Sequence, residues 1–350
     1  MNILLDGMGG DNAPLEIVKG AIKAAPEIDG QISIIGREQD IQEAFSKLGY
    51  TKGDIKVINA TEVVTNNEAP AMAVRKKRDS SITRGMGMVK SGEADAFLSA
   101  GSTGALLSAG LFFLGRIKGI QRPAIAAFFP KIGKNDTTLL LDCGANVESK
   151  PEYLLQNGIM GSIFVEKVKG VDDPEVKLLN VGAEDEKGDS LHKEAFQMLS
   201  GADINFQGNC EGRDVPFGCC DVCVTDGFSG NVLLKSSEGV AMAIMGRIKE
   251  KLKESPVSMM GAALAGGKLR DLKKEFDYSE EGGAPILGLK GPVLKMHGSS
   301  NADAVYNAIL KAVPYVEKDV TGTIERAVAE FSAREEEREA EKEETEAAEE

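Results

Sequence analysis

Five glycine-containing stretches carry side chains suited to holding a small oxyanion. The first, Asp6-Gly7-Met8-Gly9-Gly10-Asp11-Asn12-Ala13-Pro14, follows an apolar run. Its glycines let a ligand approach the backbone closely, and Asp11 or Asn12 can cap the next helix. The same residues would equally serve a tight turn with no ligand. The second, Ser99-Ala100-Gly101-Ser102-Thr103-Gly104-Ala105, places small hydroxyl residues and glycines after a strand, where a helix start would present backbone N–H groups and its positive dipole end to an anion. The third, Asp142-Cys143-Gly144-Ala145-Asn146, and the fourth, Asp226-Gly227-Phe228-Ser229-Gly230-Asn231, repeat an acidic strand end, a glycine and an amide. Here the carboxylate can take a proton or orient a cation, and the amide can donate to an oxyanion or phosphate. The fifth runs Lys295-Met296-His297-Gly298-Ser299-Ser300-Asn301. His297 is one of two histidines, and a lone histidine is more often structural than catalytic. The Gly-Ser-Ser helix start is the better phosphate candidate.

Cations stand near several of these turns. Lys187, Arg213 and Lys235 are placed to meet a phosphate singly. The densest basic run is Arg75-Lys76-Lys77-Arg78, with a looser one at Arg116, Lys118 and Arg122. Such a run is either a solvated helix face or a docking patch with a focused positive potential. It stands out because the 350-residue chain carries a formal charge of -14, which argues against nucleic acid as a partner. Much of the excess is local. From Arg334 to Glu350 there are ten Glu, two Arg and one Lys, so 333–350 reads as an acidic tail, frayed helix or disordered, outside a single domain of 1–332.

Five cysteines, an odd number, and no secretory signal speak against a disulfide framework. Cys220-Asp221-Val222-Cys223 has the CxxC spacing of a metal or redox pair, but it falls in a buried strand with no second CxxC. Core packing is therefore the expected role, with no metal site. No apolar run is long enough to span a bilayer, so a cytoplasmic protein is expected, with surface contact to a membrane left open.

The elements that would position these residues alternate. Strands are expected at 2–5, 32–35, 55–58, 96–99, 124–129, 138–142, 177–181 and 221–225, with helices at 15–25, 39–48 and 303–312 between them. This is the grammar of an α/β fold, an open, mostly parallel sheet with helices on both faces, whose strand-end loops should converge on one site. An arm over about 237–277 interrupts it. Ser237–Glu254 reads as a helix with Val240, Ile244, Ile248 and Leu252 at four-residue spacing. Pro256–Leu264 reads as an apolar loop and Lys268–Phe276 as a basic amphipathic segment. The arm suits a dimer interface, membrane contact through Val257, Met259, Met260 and Leu264, or both.

Taken in order, DGMGGDNAP (6–14), AVRKKRDSS (73–81), SAGSTGA (99–105), LGRIKGIQRP (114–123), DCGANVESKP (142–151), Lys187-Gly188, GNCEGRD (208–214), DVCVTDGFSGNV (221–232), GGAPILG (282–288) and HGSS (297–300) resemble the bacterial acyl-carrier-protein:phosphate acyltransferase family of phospholipid synthesis. The likeness runs from residue 1 to about 315. Gly7 stands where the family commonly has Ala, Ser102 where it has Asn, and Cys143, Cys210 and Cys223 where it has Val. The resemblance implies a fold similar to phosphotransacetylases and isopropylmalate dehydrogenases, and a homodimer that uses no nucleotide or other cofactor and associates peripherally with the membrane. Its reaction would transfer a long-chain acyl group from acyl carrier protein to inorganic phosphate. The acidic carrier would dock on Arg75, Lys76, Lys77 and Arg78.

Phosphate is itself a competent nucleophile, so the expected catalyst binds it, aligns it and stabilises the tetrahedral oxyanion. Asp6, Gly9, Gly10, Asp11, Ser99, Gly101, Ser102, Thr103, Gly104, Asn146, Arg213, Ser299 and Ser300 are the expected substrate- and phosphate-binding set. Asp226, Asn231, Lys187 and His297 are the expected catalytic set. No GxSxG elbow is present, so direct attack without an acyl-enzyme is expected. Three rivals remain: a phosphotransacetylase-like enzyme using acyl-CoA, a metal- and nucleotide-dependent dehydrogenase on the related fold, and a membrane-associated scaffold without activity.

Overall fold

A computed structural model describes residues 1–65, 67–134, 136–268 and 282–349, with side chains of the last helix up to Arg334. Strand and helix alternate through β1 (Asn2–Asp6), α1 (Leu15–Ala24), β2 (Gln31–Gly36), α2 (Glu38–Lys47) and β3 (Ile55–Asn59). Two helices, α3 (Pro70–Lys76) and α4 (Ser81–Ser91), lead to β4 (Ala96–Ser99) and α5 (Thr103–Ala109), which continues as a π-helical turn over Gly110–Leu114. The second half contains β5 (Ala124–Pro130), β6 (Thr137–Leu141), α6 (Pro151–Phe164), β7 (Val176–Asn180), α7 (Ser190–Ser200), β8 (Phe206–Glu211) and β9 (Val222–Val224). After α8 (Gly227–Lys253) and α9 (Pro256–Leu264), the chain returns through β10 (Ala284–Leu287) and β11 (Val293–Lys295). It ends in α10 (Ala302–Glu317) and α11 (Val320–Glu349).

The described strands form one sheet in the order β3-β2-β1-β4-β11-β10-β5-β6-β9-β7-β8. Its flanks are parallel; β10 and β5 join them through antiparallel pairs, β10 with β11 and β5, and β5 with β6. The two parallel blocks therefore run in opposite directions. The strand-end loops leave the sheet in two groups, one from each block.

Apolar residues cover both faces, as helices on both sides require. Along β1, Ile3 and Leu5 enter one core with Ile17 and Val18 of α1 and Leu154 of α6, while Leu4 enters the other with Val74 of α3, Ile82 of α4 and Leu106 of α5. Burying each such Leu, Ile or Phe contributes roughly 1.5–3 kcal/mol. The alternation fixes register, because a one-residue slip would exchange the two faces.

Three strands were not expected from sequence. β8 reads as polar (FQGNCE), and β10 and β11 are too short for a period to show. Helix α8 starts ten residues before the expected Ser237, because Asp226 caps it by accepting from the amides of Phe228 and Ser229 at 3.0 and 2.9 Å. Pro256–Leu264 is a helix rather than a loop. Ser255 caps it with a 3.0 Å bond from Ser258 N, and Pro256 occupies its first position. Beyond Gly230 no residue of α8 is buried, and none of α9 is. The segment expected at Lys268–Phe276 lies, after its first residue, outside the described residues.

Candidate functional site

The first group of loops gathers at the carboxyl ends of β1, β4 and β11. Asp6 closes β1 and is 1% exposed. Its Oδ2 accepts from Ser99 Oγ at 2.7 Å and its Oδ1 from Met8 N at 3.0 Å, while Ser99 Oγ accepts from Gly101 N at 3.0 Å. Burial pushes the Asp6 carboxyl above the usual carboxylate value, against hydrogen bonds from Ser81, Ser99, Met8 and Gly9 that pull it down. The loops touch because their glycines allow it. A Cβ on Gly9 would lie 2.6 Å from both Asp6 Oδ2 and Gly101 N, and one on Gly10 (φ +98) would lie 2.9 Å from Gly298 O. Asp11 N donates to Gly298 O at 2.7 Å, and Asn12 Nδ2 to Ser299 O at 3.1 Å.

Two expected phosphate binders on this loop face are engaged locally. Ser102 caps α5 through Ala105 N at 3.4 Å, and Ser299 Oγ lies 2.7 Å from His297 Nδ1. The start of α10 already holds a carboxylate, since Glu16 Oε2 accepts from Ala302 N at 2.7 Å and Asn301 caps Ala304 N. Thr103 and Gly104 open α5, and Ser300 is buried just before α10.

Lys295, the last residue of β11, was not singled out from the sequence. It pairs in register with Ser99 and donates to Met296 O. Burial depresses its ammonium to about 8; the charges of Asp6 and Asp11 raise it and that of Lys235 lowers it further. The signal was a lysine two residues before His-Gly-Ser-Ser.

The second group gathers at the carboxyl ends of β6, β9 and β7. Asp142, 1% exposed, is its brace. Its carboxylate accepts from the amides of Ile125, Gly144, Ala145 and Asn146 and from Asn146 Nδ2, at 2.8–3.1 Å. Burial still pushes its carboxyl up overall. Asn146 Nδ2 also donates to Pro123 O at 2.9 Å, so its amide is committed to holding the loop rather than free to face a ligand. Gly227 N donates to Asn146 O at 3.0 Å, and a Cβ on Gly144 would lie 3.5 Å from the Asn231 carboxamide carbon.

Asp226 faces His192, the second residue that sequence reasoning passed over. His192 Nδ1 lies 2.7 Å from Asp189 Oδ1, and its Nε2 lies 4.0 Å from Asp226 Oδ2. The signal was that the chain has one other histidine, five residues after Lys187. Lys187 is half-exposed, 4.0 Å from Glu184, at a turn braced by Asn180 Nδ2, which donates to Lys187 O at 3.0 Å. Arg213 is exposed and paired with Glu211 at 2.9 Å. Helix α8 joins the groups: it starts on the Asp142 loop and carries Lys235, whose charge acts on Lys295.

The basic run adjoins the first group. Pro70, which opens α3, would contact a Cβ on Gly104 at 2.7 Å, and Arg75 near its end stacks over Phe112 at 4.7 Å. Arg75, Lys76 and Arg78 are exposed, whereas Lys77 is bound to Glu68 at 2.7 Å and Val63 O at 2.6 Å.

The chain is 48% identical to a phosphate acyltransferase of Oceanobacillus iheyensis over 96% of this chain and 100% of that one. It is 45% identical to a phosphate acyltransferase of Thermoanaerobacterium thermosaccharolyticum over 94% of this chain and 97% of that one. A phosphotransacetylase from Streptococcus pyogenes superposes with a TM-score of 0.63 at 18% identity, covering 91% of this chain and 94% of that one, which establishes the fold. With the family model for fatty acid synthesis protein matching residues 1–323, the chain belongs to that family.

Proposed function

We propose that the protein is an enzyme that transfers a long-chain fatty acyl group from an acyl carrier protein thioester to inorganic phosphate. The observation that carries this reading is the meeting of three strand-end loops around Asp6, Ser99 and Lys295, next to an exposed basic helix. An orthophosphate seated there would be met by the amides of Gly10 and Ser102–Gly104, by Lys295, and by His297 with Ser299 and Ser300.

A phosphate oxygen attacks the thioester carbonyl; the new C–O bond forms, the C–S bond breaks and the carrier thiolate leaves. Asn231 or a loop N–H faces the developing oxyanion. Asp189 orients His192, which stands beside Asp226 and can give a proton to the leaving thiolate, and Lys187 and Arg213 supply positive charge on that side. Asp6 and Asp142 hold the loops and touch no substrate.

An acidic carrier would dock on Arg75, Lys76 and Arg78, one short helix from Gly104. Lys77 braces this surface. The arm adds two further proposals. Its face of exposed Ile244 and half-buried Ile248 and Leu252 suits a second copy of the chain, and Val257, Met260 and Leu264, 75%, 65% and 87% exposed, suit a lipid surface. No described helix is long and apolar enough to cross a membrane.

The test is release of carrier thiol from long-chain acyl carrier protein with and without phosphate, alongside acyl-CoA. Phosphate-dependent release with the carrier substrate preferred is expected. Turnover of acyl-CoA alone would assign a phosphotransacetylase-like activity instead.

A further inference from the structure

Four of the five cysteines meet in the second half of the sheet, although sequence alone read them as plain core. Cys210 lies on β8 and Cys223 on β9, the strands that flank β7, where Leu179 pairs with Cys210 and Lys177 with Cys223. Cys219 and Cys220 sit in the segment entering β9. The sulfurs of Cys210 and Cys223 are 3.8 Å apart, as are those of Cys219 and Cys220. Cys210, Cys220 and Cys223 are all buried, with sulfurs within 4.8 Å of one another, the one such group of potential metal ligands among the described residues.

These separations are far beyond the roughly 2.05 Å of a disulfide. The two 3.8 Å separations are those of thiolates sharing one tetrahedral ion, since sulfurs each about 2.3 Å from it stand about 3.8 Å from each other. Cys210, Cys220 and Cys223 already form a compact group, and Cys219, 3.8 Å from Cys220, would move in to supply the fourth ligand. The sequence spacing agrees: Cys220 and Cys223 form a two-residue-spaced ligand pair, and the segment from Cys210 to Cys219 brings the other two. Cys143 stands apart, its Sγ donating to Leu140 O at 3.3 Å.

We propose that Cys210, Cys219, Cys220 and Cys223 bind one divalent zinc ion. Zinc suits soft thiolate ligands in a closed, tetrahedral, structural site. Binding removes the thiol protons to solvent, so affinity rises with pH. Lys177, held at 3.1 Å from Glu175 beside Cys223, offsets part of the surplus negative charge of four thiolates around a divalent ion. The ion would staple β8, an edge strand with β7 as its one partner in the sheet, to β9, and would fix the intervening segment that carries Arg213. This site is separate from the acyl-transfer reading and stands or falls independently of it.

The experiment is elemental analysis of the full-length protein purified under reducing conditions. One zinc per chain retained through gel filtration is expected, and cobalt substitution should give thiolate-to-cobalt charge-transfer absorption with tetrahedral d–d bands. Cys220→Ser and Cys223→Ser should lower retained zinc by at least about tenfold, while Cys143→Ser leaves it unchanged. Should a serine variant fail to fold, the native chain still decides. Stripping it with a chelator should expose four thiols to a thiol reagent and lower Tm, and added zinc should reverse both. Protein without zinc whose thiols and Tm ignore added zinc would overturn the proposal. So would a mass lower by one disulfide's two hydrogens, an iron–sulfur chromophore, or full zinc retention in Cys223→Ser.

Discussion

Lys295 shows how a single side chain can tie binding to pH. Burial holds its ammonium near 8, within reach of ordinary assay conditions. A group with a depressed pKa is cationic below that value and neutral above it. If it grips phosphate as a cation, kcat/KM for phosphate falls as pH rises through about 8. Lys295→Arg should remove that limb, since a guanidinium stays charged. Lys295→Met should lower kcat/KM by about 10- to 1,000-fold at neutral pH. A pH–rate profile of the three proteins checks this, and an unchanged limb in Lys295→Arg would assign it to another group. The sequence displayed Lys295 beside His297 but not its burial, because desolvation depends on what α8 and the Asp6 loop bring to it.

At the scale of elements, close backbone approach sets the second group of loops. Helix α8 lies against the Asp142 loop at Gly227 and Gly230, and a Cβ on Gly230 would come 2.1 Å from Asp142 O. Gly230→Ala should therefore cost about 1–3 kcal/mol through overpacking and reduce activity by displacing Asn231. Thermal melts with kinetics check this. The control Gly246→Ala, in the interior of α8 where an added Cβ meets nothing, should leave activity unchanged and Tm the same or slightly higher.

The same glycines explain part of what the sequence hid. Gly227 and Gly230 weaken the helix signal at the start of α8, so its expected beginning fell at Ser237. The strands β1 to β7 and β9 were legible within a residue or two because each is a mainly apolar run ended by a polar or glycine turn. β10 and β11 carry too few residues to show a period, and the direction of the second block depends on them. That is why the turns were individually legible while their division into two groups was not. Among site residues, Asp6 and Ser99 were each legible as polar strand ends, but the bond by which Ser99 Oγ donates to Asp6 Oδ2 was not. The commitment of Asn146 to Asp142 and Pro123 was not, since hydrogen-bond direction is a tertiary property.

Across the whole molecule, an acidic chain keeps an exposed basic helix next to its first loop group. Arg75→Glu with Arg78→Glu should raise KM for acyl carrier protein by about tenfold or more, with little effect on kcat for a small acyl-thioester. Added salt should weaken the wild type toward the variant. Steady-state kinetics at two ionic strengths check this, and equal KM values would place docking elsewhere.

In the proposed reaction the β1, β4 and β11 loops seat a free phosphate for attack on a thioester. A crystal of the protein grown with orthophosphate tests it most directly. A phosphate is expected within hydrogen-bonding distance of Lys295 Nζ and of the amides of Gly10 and Ser102–Gly104. Phosphate bound elsewhere in the chain, with these loops unoccupied at a concentration that saturates turnover, would contradict it.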